Sequence, residues 1–145
     1  MGIDVWHDQL HESLKKHPKV LSFENFNAKD LAINTQFLRA ISHLQINLVV
    51  ADVSFISINK IIPSMANFVA AGTEYLFLVK PQFECGREHL DKHGIVTDKK
   101  VYDNVENEVR KTAQQYFKNV EKYFSCDVLG KDGNQEFFIY GKKCD

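Results

Sequence analysis

Two short, almost wholly apolar runs, Ile46–Ala51 (INLVVA) and Tyr75–Val79 (YLFLV), set the tightest limit on how this chain folds. Both are dominated by aliphatic and aromatic side chains, and each ends at a charged residue, Asp52 and Lys80. Between them Ser57 is placed to cap a helix that carries Ile58, Ile61, Ile62, Met65, Phe68 and Val69 at helical spacing. Pro63 sits near its first turn and Gly72 marks its end. Strand, helix and strand in this order predict a parallel pair. Continuous apolar runs predict that the pair is covered on both faces.

The flanks extend the pattern. Gly2-Ile3-Asp4-Val5 reads as the tail of a strand, and a polar segment with Leu10 and Leu14 on one face follows it up to Pro18. Lys19–Phe23 reads as a short strand and Asn25–Asp30 as a loop, before Phe37, Leu38, Ile41 and Leu44 at helical spacing. Beyond a polar loop, Val101, Val105, Val109, Ala113 and Phe117 recur every four residues and predict the longest helix. Tyr123–Leu129 and Glu136–Tyr140, joined by the turn-forming run Gly130–Asn134, predict a closing hairpin. The fold expected is α/β, a mostly parallel sheet with an antiparallel C-terminal hairpin.

Length and charge narrow the function. One domain with a real core fits within 145 residues, and a formal net charge of −1 confines any nucleic-acid contact to a local surface. No apolar run approaches the ~20 residues of a membrane span. Three cysteines, Cys85, Cys126 and Cys144, without CxxC spacing read as reduced thiols of a cytoplasmic protein.

In open α/β sheets, ligands bind beyond the carboxyl ends of the strands. Asp4, Asn27, Asp52 and Lys80 all fall at or just past such ends. Lys80 reads either as a lysine reaching water or as one held near apolar walls, where its pKa falls and it acts as a base. Asp52 reads as a turn cap or as the carboxylate that orients the lysine. Glu136 reads as a hairpin-edge charge unless the hairpin returns toward Lys80. Phe55 and Phe83 read as local packing or as rim aromatics able to stack on a base. His7/His11 and His89/His93 have i, i+4 spacing without a third ligand, and no metal site is expected. Arg87, Lys92, Lys99 and Lys100 form a local basic edge suited to phosphates.

These segments also carry a resemblance. ADVSFIS (51–57), LVKPQFECGRE (78–88), GIVTD (94–98) and GNQEFF (133–138) resemble the TlyA, or haemolysin A, family, as do GIDVWHDQL (2–10) and ENFNAKDL (24–31). The resemblance implies a Rossmann-like, FtsJ-like ribosomal RNA 2'-O-methyltransferase that uses S-adenosylmethionine and acts on cytidine ribose. It implies a Lys-Asp-Lys-Glu catalytic set, with Asp52, Lys80 and Glu136 as its last three members. Asp4 would hold the cofactor ribose, Asn27 and Ala28 would lie beside the adenine, and Asp52 would also border the cofactor. The implied partners are ribosomal RNA or ribosomal subunits, with no DNA and no membrane, and self-association through an exposed sheet edge is possible.

Against the family pattern the chain lacks the N-terminal S4 RNA-binding domain, the first strand, its glycine-rich loop and the first lysine of the set. Residues 1–145 are therefore expected to be a partial FtsJ-like domain, with little activity and weak or absent cofactor binding on their own. The alternative is a non-catalytic RNA- or protein-binding remnant. A membrane-active haemolysin is opposed by the lack of a span, a signal or a strongly cationic amphipathic helix.

Overall fold

The computed structural model describes residues 1–31 and 33–145, which fall into two compact units, Met1–Leu44 and Gln45–Asp145. In the first unit, strands β1 (Gly2–Ile3) and β2 (Ser22–Phe23) pair in parallel, Ile3 against Phe23. Helix α1 (Glu12–Lys15) lies between them and α2 (Thr35–Ile41) follows. Two residues per strand is less than the Lys19–Phe23 run suggests. What holds the unit is aromatic packing, with the Phe37 ring 5.4 Å from Phe23 and 5.6 Å from Phe26. Asn34 caps α2 by accepting the Phe37 amide.

The second unit is a four-stranded sheet in the order β3 (Leu48–Ala51), β4 (Glu74–Val79), β6 (Phe137–Lys142), β5 (Lys122–Ser125). β3 and β4 are parallel, and β6 pairs antiparallel with both β4 and β5. The α/β class and the closing hairpin are as expected. Helix α3 (Ile62–Phe68), a short helix α4 (Pro81–Glu84) and the long α5 (Lys99–Phe117) complete the unit.

Pairing on both sides makes β4 the centre. Its alternate residues Tyr75, Phe77 and Val79 are fully buried. The Tyr75 and Phe77 rings meet Phe117 on the four-residue ladder of α5, Tyr75 at 4.4 Å, and Val109 and Ala113 of the same ladder are also fully buried. The Tyr75 hydroxyl donates to the Asn119 carbonyl at 2.6 Å, so the ring is buried without orphaning its polar end. Ile58, Ile61, Ile62 and Met65 complete this core.

Two expectations need correction. The β3 run is not covered on both faces, since Leu48 and Val50 are 52% and 66% exposed. Leu48 and Val50 alternate along β3 and share the face left open, while Val49 and Ala51 on the other face are half-buried. The helix after Ser57 is not continuous to Gly72. Ser57 caps a 3-10 turn, Ile58–Lys60, and α3 ends at Phe68. The Lys143 ammonium donates to the carbonyls of Ala66 and Val69 at 2.6 and 2.7 Å, satisfying the helix terminus from the far end of the chain.

Gly141 tests this packing. A Cβ there would lie 2.5 Å from the Tyr75 hydroxyl and 2.6 Å from the Asn119 carbonyl oxygen. Strand propensity favours alanine over glycine, yet we expect Gly141→Ala to destabilise the protein by about 1–3 kcal/mol in denaturant unfolding, because overpacking outweighs propensity.

Candidate functional site

Lys80 leaves the end of β4 and Asp52 the end of the adjacent parallel strand β3. The Lys80 ammonium lies 2.7 Å from Asp52 Oδ1 and donates to Ser54 Oγ at 3.0 Å. Its side chain is 13% exposed while that of Asp52 is 68% exposed. Ion pairs open to water contribute roughly 0–1 kcal/mol, so this one does little for stability and its geometry is the informative part.

Antiparallel register brings in the third residue. Val79 faces Phe137 in the last pair of the β4–β6 ladder, so Lys80 and Glu136 each lie one residue beyond it. Glu136 is 8% exposed and sits one residue before β6 instead of opening it. Its carboxylate occupies space left by Gly130, where a Cβ would lie 2.7 Å from Oε1. The hairpin thus does return toward Lys80.

The loop from Asp52 to Ser57 contains no glycine, yet Phe55 adopts φ 62°. A bulky residue in the left-handed region costs on the order of 1–3 kcal/mol. The Phe55 ring is also 88% exposed, touching Phe83 at a centroid distance of 5.1 Å. Strain and forgone burial on one residue point to a use for the ring outside packing.

Glu84 was not singled out in the sequence, and it ties the two motif loops together. Its carboxylate accepts from Ser57 Oγ at 2.6 Å, the Ile58 amide at 2.7 Å and Asn59 Nδ2 at 3.2 Å. Burial pushes its carboxyl above the ordinary glutamate range, partly countered by these bonds and by Lys60 nearby. The available signal was the spacing of Lys80, Phe83 and Glu84, at i, i+3 and i+4 around Pro81. Asn134 is a second such residue. Its buried amide accepts from the Val96 amide and donates to the Gly94 carbonyl, both at 3.0 Å. It thereby fixes the GIVTD loop two residues before Glu136.

Arg87, Lys92, Lys99 and Lys100 are all exposed, on the segment from α4 into α5. Asp91 orders this segment by accepting the amides of His93 and Ile95, which hold its carboxyl below the usual range. Lys99 and Lys100 open α5, where the helix dipole disfavours cations, and the Asp98 cap offsets them. His93 lies outside the 3-10 turn Arg87–His89, and His7 and His11 precede α1, so neither histidine pair is presented on a helix. The described residues hold no cluster of three or more His, Cys, Asp or Glu side chains fit for a metal, and no helix long and apolar enough to cross a membrane. The three cysteines are free thiols, and burial pushes Cys85 up, away from the thiolate.

In the first unit, Asp4 follows β1 and Asn27 lies four residues past β2. The Asp4 carbonyl accepts the Phe26 amide at 2.9 Å, and its Oδ1 accepts the Trp6 amide at 2.8 Å. Asn27 caps the 3-10 turn Ala28–Asp30 by accepting the Lys29 amide at 3.0 Å.

A family model described as FtsJ-like methyltransferase matches residues 1–143. The chain belongs to this family. It is 34% identical over 140 residues to Hemolysin A of Brachyspira hyodysenteriae, covering 96% of this chain and 56% of that protein. It is 31% identical over 140 residues to the 16S/23S rRNA (cytidine-2'-O)-methyltransferase TlyA of Mycobacterium tuberculosis, covering 97% of this chain and 50% of that one. A solved hemolysin-named protein from Lactococcus lactis superposes with a TM-score of 0.86 at 30% identity, covering 98% of this chain and 65% of that one. The chain therefore spans about half the length of the curated relatives it matches.

Glu84 yields a pH prediction. Its folded-state pKa is raised, so the folded state holds the proton more tightly than the unfolded state. That contribution is fully present below the unfolded value, about 4.3, and is lost as pH rises through the raised folded value. Thermal unfolding across this window should show wild-type stability falling relative to Glu84→Gln. Parallel curves would rule out the assignment.

Proposed function

We propose that the protein transfers a methyl group from S-adenosylmethionine to the 2'-hydroxyl of a cytidine ribose in ribosomal RNA. The observation that carries this reading is the Lys80–Asp52 contact at the ends of adjacent parallel strands, with Lys80 and Glu136 each one residue beyond the last β4–β6 pair. Membership of the methyltransferase family and the rRNA methyltransferase relatives support the reaction class.

When bound, S-adenosylmethionine supplies an electrophilic methyl group on a sulfonium. The donor set fits such a cofactor. Asp4 brings a carboxylate with an oxygen beyond the one that takes the Trp6 amide, suited to ribose hydroxyls. Asn27 and Ala28 bring amide and backbone groups suited to adenine nitrogens.

The remaining work falls to this chain's residues. A ribose hydroxyl is a poor nucleophile unless its proton is drawn off or the developing negative charge is met. An ammonium has three N–H donors, and Lys80 directs two of them at Asp52 and Ser54. The third would meet the ribose oxygen as it bonds the methyl carbon, while the carbon–sulfur bonding pair leaves with the thioether and the hydroxyl proton passes to water. Asp52 and Ser54 keep the lysine from swinging into water, and Glu136 orients the hydroxyl from the neighbouring strand. The exposed Phe55 ring offers a surface for a base, and Arg87, Lys92, Lys99 and Lys100 meet phosphates. With a net charge of −1, this ordered basic segment is where RNA affinity concentrates.

The test is incorporation of labelled methyl groups into ribosomal subunits, followed by nucleoside analysis. We expect label on a ribose oxygen, with Lys80→Ala lowering kcat by about 10²-fold or more while the protein stays folded. Label on a base, or an unimpaired Lys80→Ala, would refute the assignment of this site.

A further inference from the structure

We infer that Glu84 is a positioning residue, holding the Asp52–Ser57 loop in the conformation that places Asp52 against Lys80 and Phe55 at the rim. The loop does not take this shape for local reasons. It contains neither glycine nor proline, and it carries a phenylalanine at φ 62°. Such a conformation persists only where the surroundings over-determine it.

The side chains that hold the loop come from one short segment. Lys80 holds Asp52 and Ser54, the Phe83 ring meets Phe55, and Glu84 takes Ser57, Ile58 and Asn59. These three residues fall at i, i+3 and i+4 and project from one side of a single helical turn. The Lys80–Asp52 contact is weakened by water at Asp52, and an exposed ring on a half-buried one gives little direction. The Glu84 bonds are the directional ones. One oxygen takes the Ile58 amide and the other takes the Ser57 hydroxyl and Asn59 amide. Charge-assisted bonds of this kind are the strong class. Both oxygens must accept, so a carboxylate fits and an amide, which turns a donor toward a donor, does not.

The kinetic part of this inference rests on the methyl-transfer reading, and the structural part does not. The experiment therefore has two arms, using Glu84→Gln and, as a stability control, the core substitution Ile139→Val. In the first arm, amide exchange at Ile58 and ring-to-ring contacts of Phe55 and Phe83 are followed by NMR, well below the unfolding temperature. We expect Glu84→Gln to speed Ile58 exchange and weaken the ring contact, and Ile139→Val to do neither. In the second arm, kcat should fall by about 10- to 100-fold in Glu84→Gln with KM for S-adenosylmethionine unchanged, because the residue acts on placement of the reacting groups. Ile139→Val should keep its kcat. Wild-type protection at Ile58 together with an intact ring contact in Glu84→Gln overturns the inference. So does a kcat loss matched by Ile139→Val. A wild-type protein that transfers no methyl group would sink the reaction assigned above, leaving the NMR arm to decide on Glu84.

Discussion

The second unit depends on β4 being bonded on both sides, in parallel to β3 and antiparallel to β6. That single strand performs two tasks at once. Its inward residues, Tyr75, Phe77 and Val79, form the centre of the core against α5, and its last step delivers Lys80 to the sheet's end. Mixed pairing brings in neighbours of opposite direction. The parallel partner contributes a residue just after its end, Asp52, and the antiparallel partner one just before its start, Glu136. Three chemically useful residues from distant parts of the sequence therefore reach one line across the sheet without any long loop having to be ordered.

Much of this was legible because the signals were local. Lys80 and Asp52 stood out since each ends an apolar run, and α5 since its buried ladder repeats every four residues through Phe117. Glu136 was different. Nothing within Gly133–Phe138 shows that the strand returns beside β4, and the family motif, not periodicity, marked the residue. Helix α3 was misjudged at its end because its terminal carbonyls are satisfied by Lys143, up to 77 positions away. The coverage of β3 was misjudged because an apolar run does not reveal whether both faces find partners. Glu84 escaped notice because α4 is a four-residue helix, too short for periodicity to register, and a glutamate in a polar stretch reads as solvated.

Two disagreements between local preference and structure lie beside Lys80. Phe55 is strained and exposed, and Glu84 is a carboxylate drawn partly out of water. The other left-handed residues apart from glycine follow ordinary rules. Lys118 takes the left-handed conformation where a helix commonly ends, and Asp8 and Asn25 belong to types that tolerate it. Sequences accept such local conflicts mainly at functional sites. Their clustering beside the Asp52–Lys80 pair is independent of any relative's name.

Glu84 shows why these conflicts are coupled and not merely neighbouring. Burial raises its pKa, so the three hydrogen bonds it accepts do not fully offset removing its charge from water. A residue selected for stability alone would be a neutral side chain filling the same space. What the carboxylate provides instead is direction, since two acceptor oxygens fix the turn Ile58–Lys60 relative to α4 and so fix both ends of the intervening loop. With the far end fixed by Glu84 and the near end by β3, the loop has little freedom left except to present Asp52 to Lys80 and turn Phe55 outward. Stability is given up at one position so that geometry is retained at another. The strained phenylalanine and the half-buried glutamate are thus two consequences of one requirement, that a short loop without glycine hold a carboxylate and an aromatic ring in fixed places beside the same lysine.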